Sequence, residues 1–210
     1  GEGWSLVLDA RGAAALRQLA DELPAERTIA IAGDVTDPWH RGALLRAVDA
    51  VGGVDLLVNN ASELGPSPLP RLADYPVDAL GRVLDTDVLA PLALIQLLLP
   101  SLSARGGIIV NVSSDAAVTP FAGWGGYGAA KAALDHLSSV LALERPDVRS
   151  YAFDPGDMRT AMHQAAFPGE DISDRPEPET VVPALLRLLH ERPASGRYRA
   201  AQLLAAEAVA

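Results

Sequence analysis

Residues Ile108–Leu143 read IIVNVSSDAAVTPFAGWGGYGAAKAALDHLSSVLAL, and the order of elements inside this stretch decides the fold. Ile108–Val112 is a short apolar run, β-branched but for Asn111, which reads as a buried strand. Ser113 and Ser114 end it. A loop rich in glycine (Gly123, Gly125, Gly126) follows. From Tyr127 the apolar positions Ala130, Leu134, Leu137, Val140 and Leu141 recur at helical spacing. Tyr127 and Lys131 are four apart, so they stand one above the other on one helix face. A free phenol titrates near ~10, and a general acid or base works best near the ambient pH. A close cation favours phenolate and pulls that value down. A shift of roughly three units takes about 4 kcal/mol of differential interaction, and Lys131 with a bound cationic ring is expected to supply much of it. Ser114 lies at the carboxyl end of the strand, where open α/β sheets bind ligands. Its hydroxyl is placed to hold a substrate oxygen beside the phenol.

Working outward, strands and helices alternate. Trp4–Leu8, Thr28–Ala32, Val54–Val58, Ile108–Val112 and Val148–Phe153 read as strands, and Arg197–Ala201 as a last short one. Ala13–Leu23, Trp39–Val51, Val77–Leu99, the run from Tyr127 and Thr180–Leu189 read as helices. Asp9, Ala10 and Arg11 are expected to end the first strand, and Pro91 to kink the long helix. Residues 163–179, rich in charge, Pro and Gly, read as a mobile loop with one helical turn. The pattern predicts an α/β fold: a doubly wound parallel sheet in three α/β/α layers with right-handed crossovers, one domain over residues 1–210. Every candidate functional group then lies at a strand's carboxyl end.

Composition narrows the function. The chain has 210 residues, 49% apolar, with 17 basic against 27 acidic side chains and a formal charge of −10. A net acidic surface argues against nucleic acid and anionic membrane as main partners. No cysteine is present, which removes disulfides and thiolate chemistry and fits a reducing cytoplasm. The longest apolar run, Leu92–Leu99, is too short to span a bilayer, and the N-terminus shows no signal-peptide pattern. His40, His136, His163 and His190 are scattered, with no metal-site spacing, and read as structural. Trp124, Phe121, Met162 and Phe167 read either as a substrate pocket or as core.

By itself a Tyr-x-x-x-Lys pair is a weak signal, common on solvated helices. With Ser114 and the strand–loop–helix context, the chain resembles the short-chain dehydrogenase/reductase family, whose Ser, Tyr and Lys fall on Ser114, Tyr127 and Lys131. The resemblance covers the chain from Trp4 onward. It implies an oxidoreductase that moves hydride between NADP or NAD and a small carbonyl or secondary alcohol. It also implies a homodimer or homotetramer built through helices Val77–Leu99 and Tyr127–Leu143. Tyr127 is then the acid/base, and Lys131 both a pKa modulator and a ribose anchor.

Further motifs follow the same family pattern. In Asp9-Ala10-Arg11 the discriminating acid of NAD-binding members is replaced by Ala10. Arg11 stands where phosphate-binding members carry theirs, which favours NADP over NAD, although Asp9 can reach the ribose with a small register change. The alternative for these charges is a solvated loop. Asp34 and Val35, in Gly33-Asp34-Val35, resemble the adenine contact; a turn or cap Asp is the alternative. Asn59-Asn60-Ala61 resembles Asn-Asn-Ala-Gly, with Ser62 replacing Gly; Asn60 and Ala61 are the cofactor contacts implied, against a plain turn. Pro155, Gly156, Met158 and Thr160 fall on the segment that meets the nicotinamide amide and phosphates.

Two departures matter. Asp87 stands where the family carries an Asn that holds a water linking the active-site Lys to solvent. Its charge is expected to favour the Lys131 ammonium and to raise the phenol's pKa; otherwise it is only a helix-face residue. Secondly, the Gly-rich turn that binds the pyrophosphate is not found, and Gly1–Trp4 reads as the end of a helix entering a strand. The expectation is that a strand and Gly-rich turn precede Gly1. Without them two sheet edges stay unpaired and cofactor affinity is badly reduced. These two features also fit a rival: a nucleotide-binding regulator or scaffold of the same fold that performs no turnover. An unrelated Rossmann-type methyltransferase has no use for the Tyr-x-x-x-Lys helix.

Overall fold

The structure, a computed structural model, describes residues 3–205. Six strands form, β1 (Leu6–Ala10), β2 (Thr28–Ala32), β3 (Leu56–Asn59), β4 (Ile108–Val112), β5 (Arg149–Asp154) and β6 (Gly196–Arg199). All their pairings are parallel. They lie in two sheets, β1-β2 and β3-β4-β5-β6. Among the described residues no strand pairing joins β1 to β3, so the predicted continuous sheet is interrupted there. Helices hold the two parts together. Val7 of β1 and Leu57 of β3 both pack on a cluster built from Val48, Ile95, Leu98 and Leu102.

The layers follow from alternation along the strands. Ile108 and Val110 of β4, with Tyr151 and Phe153 of β5, face Ala184, Leu188 and Ala200. These belong to α7 (Val182–Glu191) and α8 (Ala200–Ala205). Ile109 points the other way, to α2 (Pro38–Ala50) and α4 (Ala90–Arg105). Buried on both faces, β4 needs its apolar run, and each fully buried aliphatic side chain there stabilises the fold by roughly 1.5–3 kcal/mol.

Several boundaries differ from the sequence reading. β1 runs two residues later than expected, because Asp9 and Ala10 pair with Ile31 and Ala32 instead of ending the strand. Gly3 and Trp4 are in neither helix nor strand, so no helix end is seen there; Gly1 and Glu2 lie outside the described residues. The expected break at Pro91 falls just before it: α3 (Val77–Leu84) passes through a π turn, Asp85–Leu89, into α4. Pro91 then sits in the first turn of α4, where a missing N–H is tolerated. Pro100 does not stop the helix. Leu98 and Leu102 on either side of it are buried in the core, and the helix ends only at Gly106, in the left-handed region at φ 59°. The whole run Val77–Arg105, 29 residues, is long and apolar enough to cross a membrane by length and composition alone, contrary to the short-run reading. Its Leu94, Ile95, Leu98 and Leu102 are packed against the sheet, as in a core helix. α1 (Ala13–Asp21), α5 (Gly125–Glu144) and α6 (Ala161–Ala166) complete the set. α6 and a 3-10 turn at Pro178–Val181 take the two ends of the predicted loop, and residues 167–177 between them are in neither helix nor strand. The last strand ends at Arg199, where α8 takes over.

Candidate active site

The start of α5 is brought close to its neighbours by glycine. A Cβ on Gly126 would stand 2.4 Å from the Tyr75 ring, and one on Gly128 would stand 2.7 Å from the Ala116 carbonyl oxygen. Only a residue without a side chain lets the helix seat there, and this seating turns Tyr127, 9% exposed, toward the carboxyl ends of the strands. One turn on, Lys131 is 2% exposed. Its Nζ donates to the Val112 carbonyl at 3.0 Å and lies 5.4 Å from the centre of the Tyr127 ring.

Lys131 has a second partner. Asp87, in the π turn, is completely buried, and its Oδ2 is 3.3 Å from Nζ. Asp87 also accepts from the Ser62 hydroxyl at 2.6 Å and from the Glu63 N–H at 2.7 Å. A buried carboxylate with an ammonium and two hydrogen bonds is well compensated. The consequence for the phenol runs against the lowering expected from Lys131 and with the rise expected from Asp87. Burial pushes Tyr127 well above its ordinary pKa, and the Asp87 charge pushes the same way. Hydrogen bonds with Ser114 and Ser62 draw it only part of the way back. The cation expected to favour phenolate is largely neutralised by the carboxylate beside it.

Ser114 closes the site from the end of β4. Its Oγ donates to Asp115 Oδ1 at 3.1 Å and accepts from the Ala116 N–H at 3.2 Å. Arg197 of β6 anchors the same strand end, donating to the Ser114 carbonyl and to Asp154, both at 2.8 Å, and to Asp135 at 3.0 Å. Ser62, Ser114, Tyr127 and Lys131 share one cavity of about 470 Å³ with Asn60 and the Pro155–Met158 segment.

A family model for short chain dehydrogenases matches residues 1–171. The chain belongs to the short chain dehydrogenase family. It is 35% identical over 176 residues to the sepiapterin reductase of Rattus norvegicus, covering 78% of this chain and 67% of that one. It is 36% identical over 163 residues to a serine 3-dehydrogenase of Agrobacterium fabrum (76% and 64%). An uncharacterized oxidoreductase of Saccharomyces cerevisiae matches at 34% over 154 residues (73% and 59%). The matched segments thus span about 59% to 67% of the length of these curated relatives. Among solved structures, a short chain dehydrogenase from Shigella flexneri complexed with NADP superposes at TM-score 0.84 with 28% identity, over 93% of this chain and 86% of that one.

In this short chain dehydrogenase the sequence-predicted residues divide in two. Ser114, Tyr127, Lys131, Asn60, Pro155, Gly156, Met158 and Thr160 line the common cavity, with Asp87 directly behind Lys131 and Ser62. Trp124, Phe121, Met162 and Phe167 line it too. So does His163, read from sequence as merely structural; its ring stacks 4.9 Å from that of Phe167. The remaining candidates do not line this cavity. Asp9 is closely paired with His40; burial of the carboxyl raises its pKa. Arg11 is exposed and lies 3.5 Å from Glu63, an ion pair that reaches from the end of β1 to the loop after β3. Asp34 accepts from the Thr36 N–H and hydroxyl at 2.9 and 2.8 Å, the turn arrangement that was the alternative for it. The side chain of Val35 is in the core with Leu44, Ala90 and Leu94, and Ala61 is exposed. Sequence reasoning missed Arg197 altogether, since one arginine on a short terminal strand carries no local signal. Asn59, beside the implied cofactor contact Asn60, donates at 2.7 Å to Asn111 in the next strand.

Proposed function

We propose that this chain is an NADP(H)-dependent dehydrogenase/reductase that interconverts a small carbonyl compound and its secondary alcohol. The observation that carries the reading is the convergence of Ser114, Tyr127 and Lys131, from two elements, on one cavity that Asn60 and Pro155–Thr160 also line. The residues present fit the nicotinamide end of such a cofactor. Gly156, at φ 78°, has no atom within 4 Å of where a Cβ would stand, so the cavity wall is open beside the Pro155–Thr160 segment. When bound, the nicotinamide supplies or takes up the hydride.

The chain's own groups would do the rest. Ser114 holds the reacting oxygen. Tyr127 gives that oxygen its proton in reduction and removes it in oxidation. Lys131, fixed by the Val112 carbonyl and Asp87, anchors the ribose hydroxyls. Trp124, Phe121, Met162 and Phe167 exclude water and favour an apolar or aromatic substrate. Arg11 would pair with a 2′-phosphate. Asp9, drawn back to His40, is withdrawn from a ribose contact, which supports NADP over NAD, as do the NADP-bound relatives. We further propose a cytoplasmic homodimer or homotetramer; the exposed Val77, Leu89 and Leu143 on α3, the π turn and α5 offer it apolar contact area.

The test is a panel of aromatic and aliphatic carbonyls with NADPH, followed by loss of reduced-nicotinamide absorbance. Turnover that disappears in Tyr127→Phe while NADPH still binds supports the enzyme. Binding without turnover on any substrate, unchanged by Tyr127→Phe, supports the regulator instead.

A further inference from the structure

The contacts of Arg197 reach three different elements of the site. From β6 its Nη2 donates to the Ser114 carbonyl at the end of β4 and to Asp154 Oδ2 at the end of β5, both at 2.8 Å. Its Nε donates to Asp135 Oδ2 on α5 at 3.0 Å. Asp135 stands one helical turn beyond Lys131 and just over two beyond Tyr127. A single guanidinium is thus bonded both to the residue that would hold the substrate oxygen and to the helix that carries the phenol. Arg197 itself does not line the cavity.

The chemistry of the group suits this place. Resonance fixes the N–H directions of a guanidinium in one plane, so its acceptors are fixed relative to one another, and bonds to carboxylates are charge-assisted. Asp154 is 2% exposed, Asp135 14% and Arg197 23%, which leaves little screening by solvent. The charges balance, since Arg199 Nε lies 3.7 Å from Asp154 as a second cation. Asp154 is fixed on its other side, where Oδ1 accepts from the Gly156 N–H at 3.0 Å. The Ser114 carbonyl also accepts from the Ala117 N–H at 3.1 Å, and Ser114 Oγ accepts from the Ala116 N–H. Ser114 is therefore held inside its own turn, and Arg197 holds that turn to α5. Packing of Gly128 on Ala116 limits how closely turn and helix approach. Apolar packing is non-directional, whereas the Arg197 bonds supply a direction.

We propose that Arg197 is a positioning residue of the reaction, keeping the Ser114 hydroxyl and the Tyr127 phenol in one geometry by tying the end of β4 to α5. The assignment rests on the dehydrogenase/reductase reading above. Arg197 touches neither reacting atom and moves no proton; it acts through Ser114. Misplacing a reacting group by about 1 Å can cost roughly 10²-fold in rate, so its loss shows in kcat before it shows in affinity.

The experiment uses the full chain and three variants. Arg197→Lys keeps the charge beside Asp154 and loses the planar fork. Asp135→Leu cuts only the arm to α5 and leaves Arg197 balanced by Asp154. Arg197→Met removes all three bonds. The first two lower kcat for carbonyl reduction roughly 10-fold and the third roughly 100-fold. KM is little changed, and the urea midpoints of the first two stay near wild type. In a Ser114→Ala background the same substitutions cost little more, because they act through a group already removed. A second readout needs neither cofactor nor turnover: amide hydrogen exchange followed by mass spectrometry. In Arg197→Lys and Asp135→Leu, residues 113–119 exchange faster, among them the Ser113 N–H bonded to the Phe153 carbonyl and the Thr119 N–H bonded to the Asp115 carbonyl, while β1 and β2 are unmoved. A role in stability alone raises exchange along the whole chain and multiplies with Ser114→Ala. The proposal is overturned by wild-type kcat in both Arg197→Lys and Asp135→Leu, by losses that multiply in the Ser114→Ala background, or by exchange at 113–119 that rises no more than elsewhere. Should the wild type turn over no substrate at all, the functional reading fails, while exchange still decides whether Arg197 holds the Ser114 turn. If Arg197→Met does not fold, the other two variants carry every arm.

Discussion

The two sheets of this molecule are built to different standards. In the four-stranded sheet, Ile108, Ile109, Val110 and Asn111 are all buried, and even the polar Asn111 is satisfied by Asn59 and Ser138, each at 2.7 Å. In the two-stranded sheet no residue of β1 or β2 is fully buried. The polar groups at the strand ends divide the same way. Ser114, Tyr127, Lys131 and Asp87 converge on one cavity. Asp9 and Asp34 are satisfied by His40 and Thr36, close to them in the fold, and only Arg11 reaches across to Glu63. The chemical half of the site is therefore preorganised by a packed core, and the half that would meet the rest of a dinucleotide is the more open one.

That contrast can be broken or sharpened by substitution. The largest effect belongs to the phenol: Tyr127→Phe should lower turnover by roughly 10²- to 10⁴-fold while leaving the urea midpoint near wild type, measured by the nicotinamide assay and by denaturation in parallel. Next comes the buried ion pair. Asp87→Leu or Lys131→Met strands one charge in the core and should cost about 3–5 kcal/mol in urea unfolding; the double variant recovers a large part of it, and a double as unstable as the sum would show that the pair is not coupled. Overpacking is milder. Gly128→Ala pushes a methyl against the Ala116 carbonyl and should cost about 1–3 kcal/mol together with a loss of kcat, because it displaces the turn that carries Tyr127.

The smallest effects sit on the open half. Arg11→Ala should change stability by less than about 1 kcal/mol, its pair being exposed, yet weaken NADPH relative to NADH, read from the two dissociation constants; equal weakening of both would remove Arg11 from phosphate recognition. The pH dependence separates the halves as well. Burial raises the folded pKa of Tyr127 above its unfolded value, so its share of stability is complete below about pH 10 and lost as pH climbs beyond that, where only the unfolded chain ionises. Urea midpoints at about pH 9 and about pH 11 should fall further for wild type than for Tyr127→Phe; equal falls would mean the phenol is wetter than the structure shows.

Local pattern made much of this legible. Ile108–Val112 was recognisable to the residue because a buried strand needs a continuous apolar run, and Thr28–Ala32 was too, although none of its residues is fully buried. Tyr127 and Lys131 declared themselves by four-residue spacing, which puts two side chains on one helix face whatever surrounds them. The end of the long helix, read at Leu99, was misplaced, since the local penalty of Pro100 is outweighed by Leu98 and Leu102 buried on either side of it. The phenol's pKa was legible only in part: the rise from Asp87 was expected, but the burial that raises it most is reported by no spacing.

Periodicity and motif order therefore established, from the chain alone, the alternating α/β architecture and the identity of the Ser, Tyr and Lys that meet in the cavity, because those signals act over a few residues. Tertiary packing alone decided the separation into two sheets, the withdrawal of Asp9 onto His40, and the joining of Ser62 to Asp87. Each of these depends on which distant groups share a low-dielectric space, and a one-dimensional pattern does not contain that.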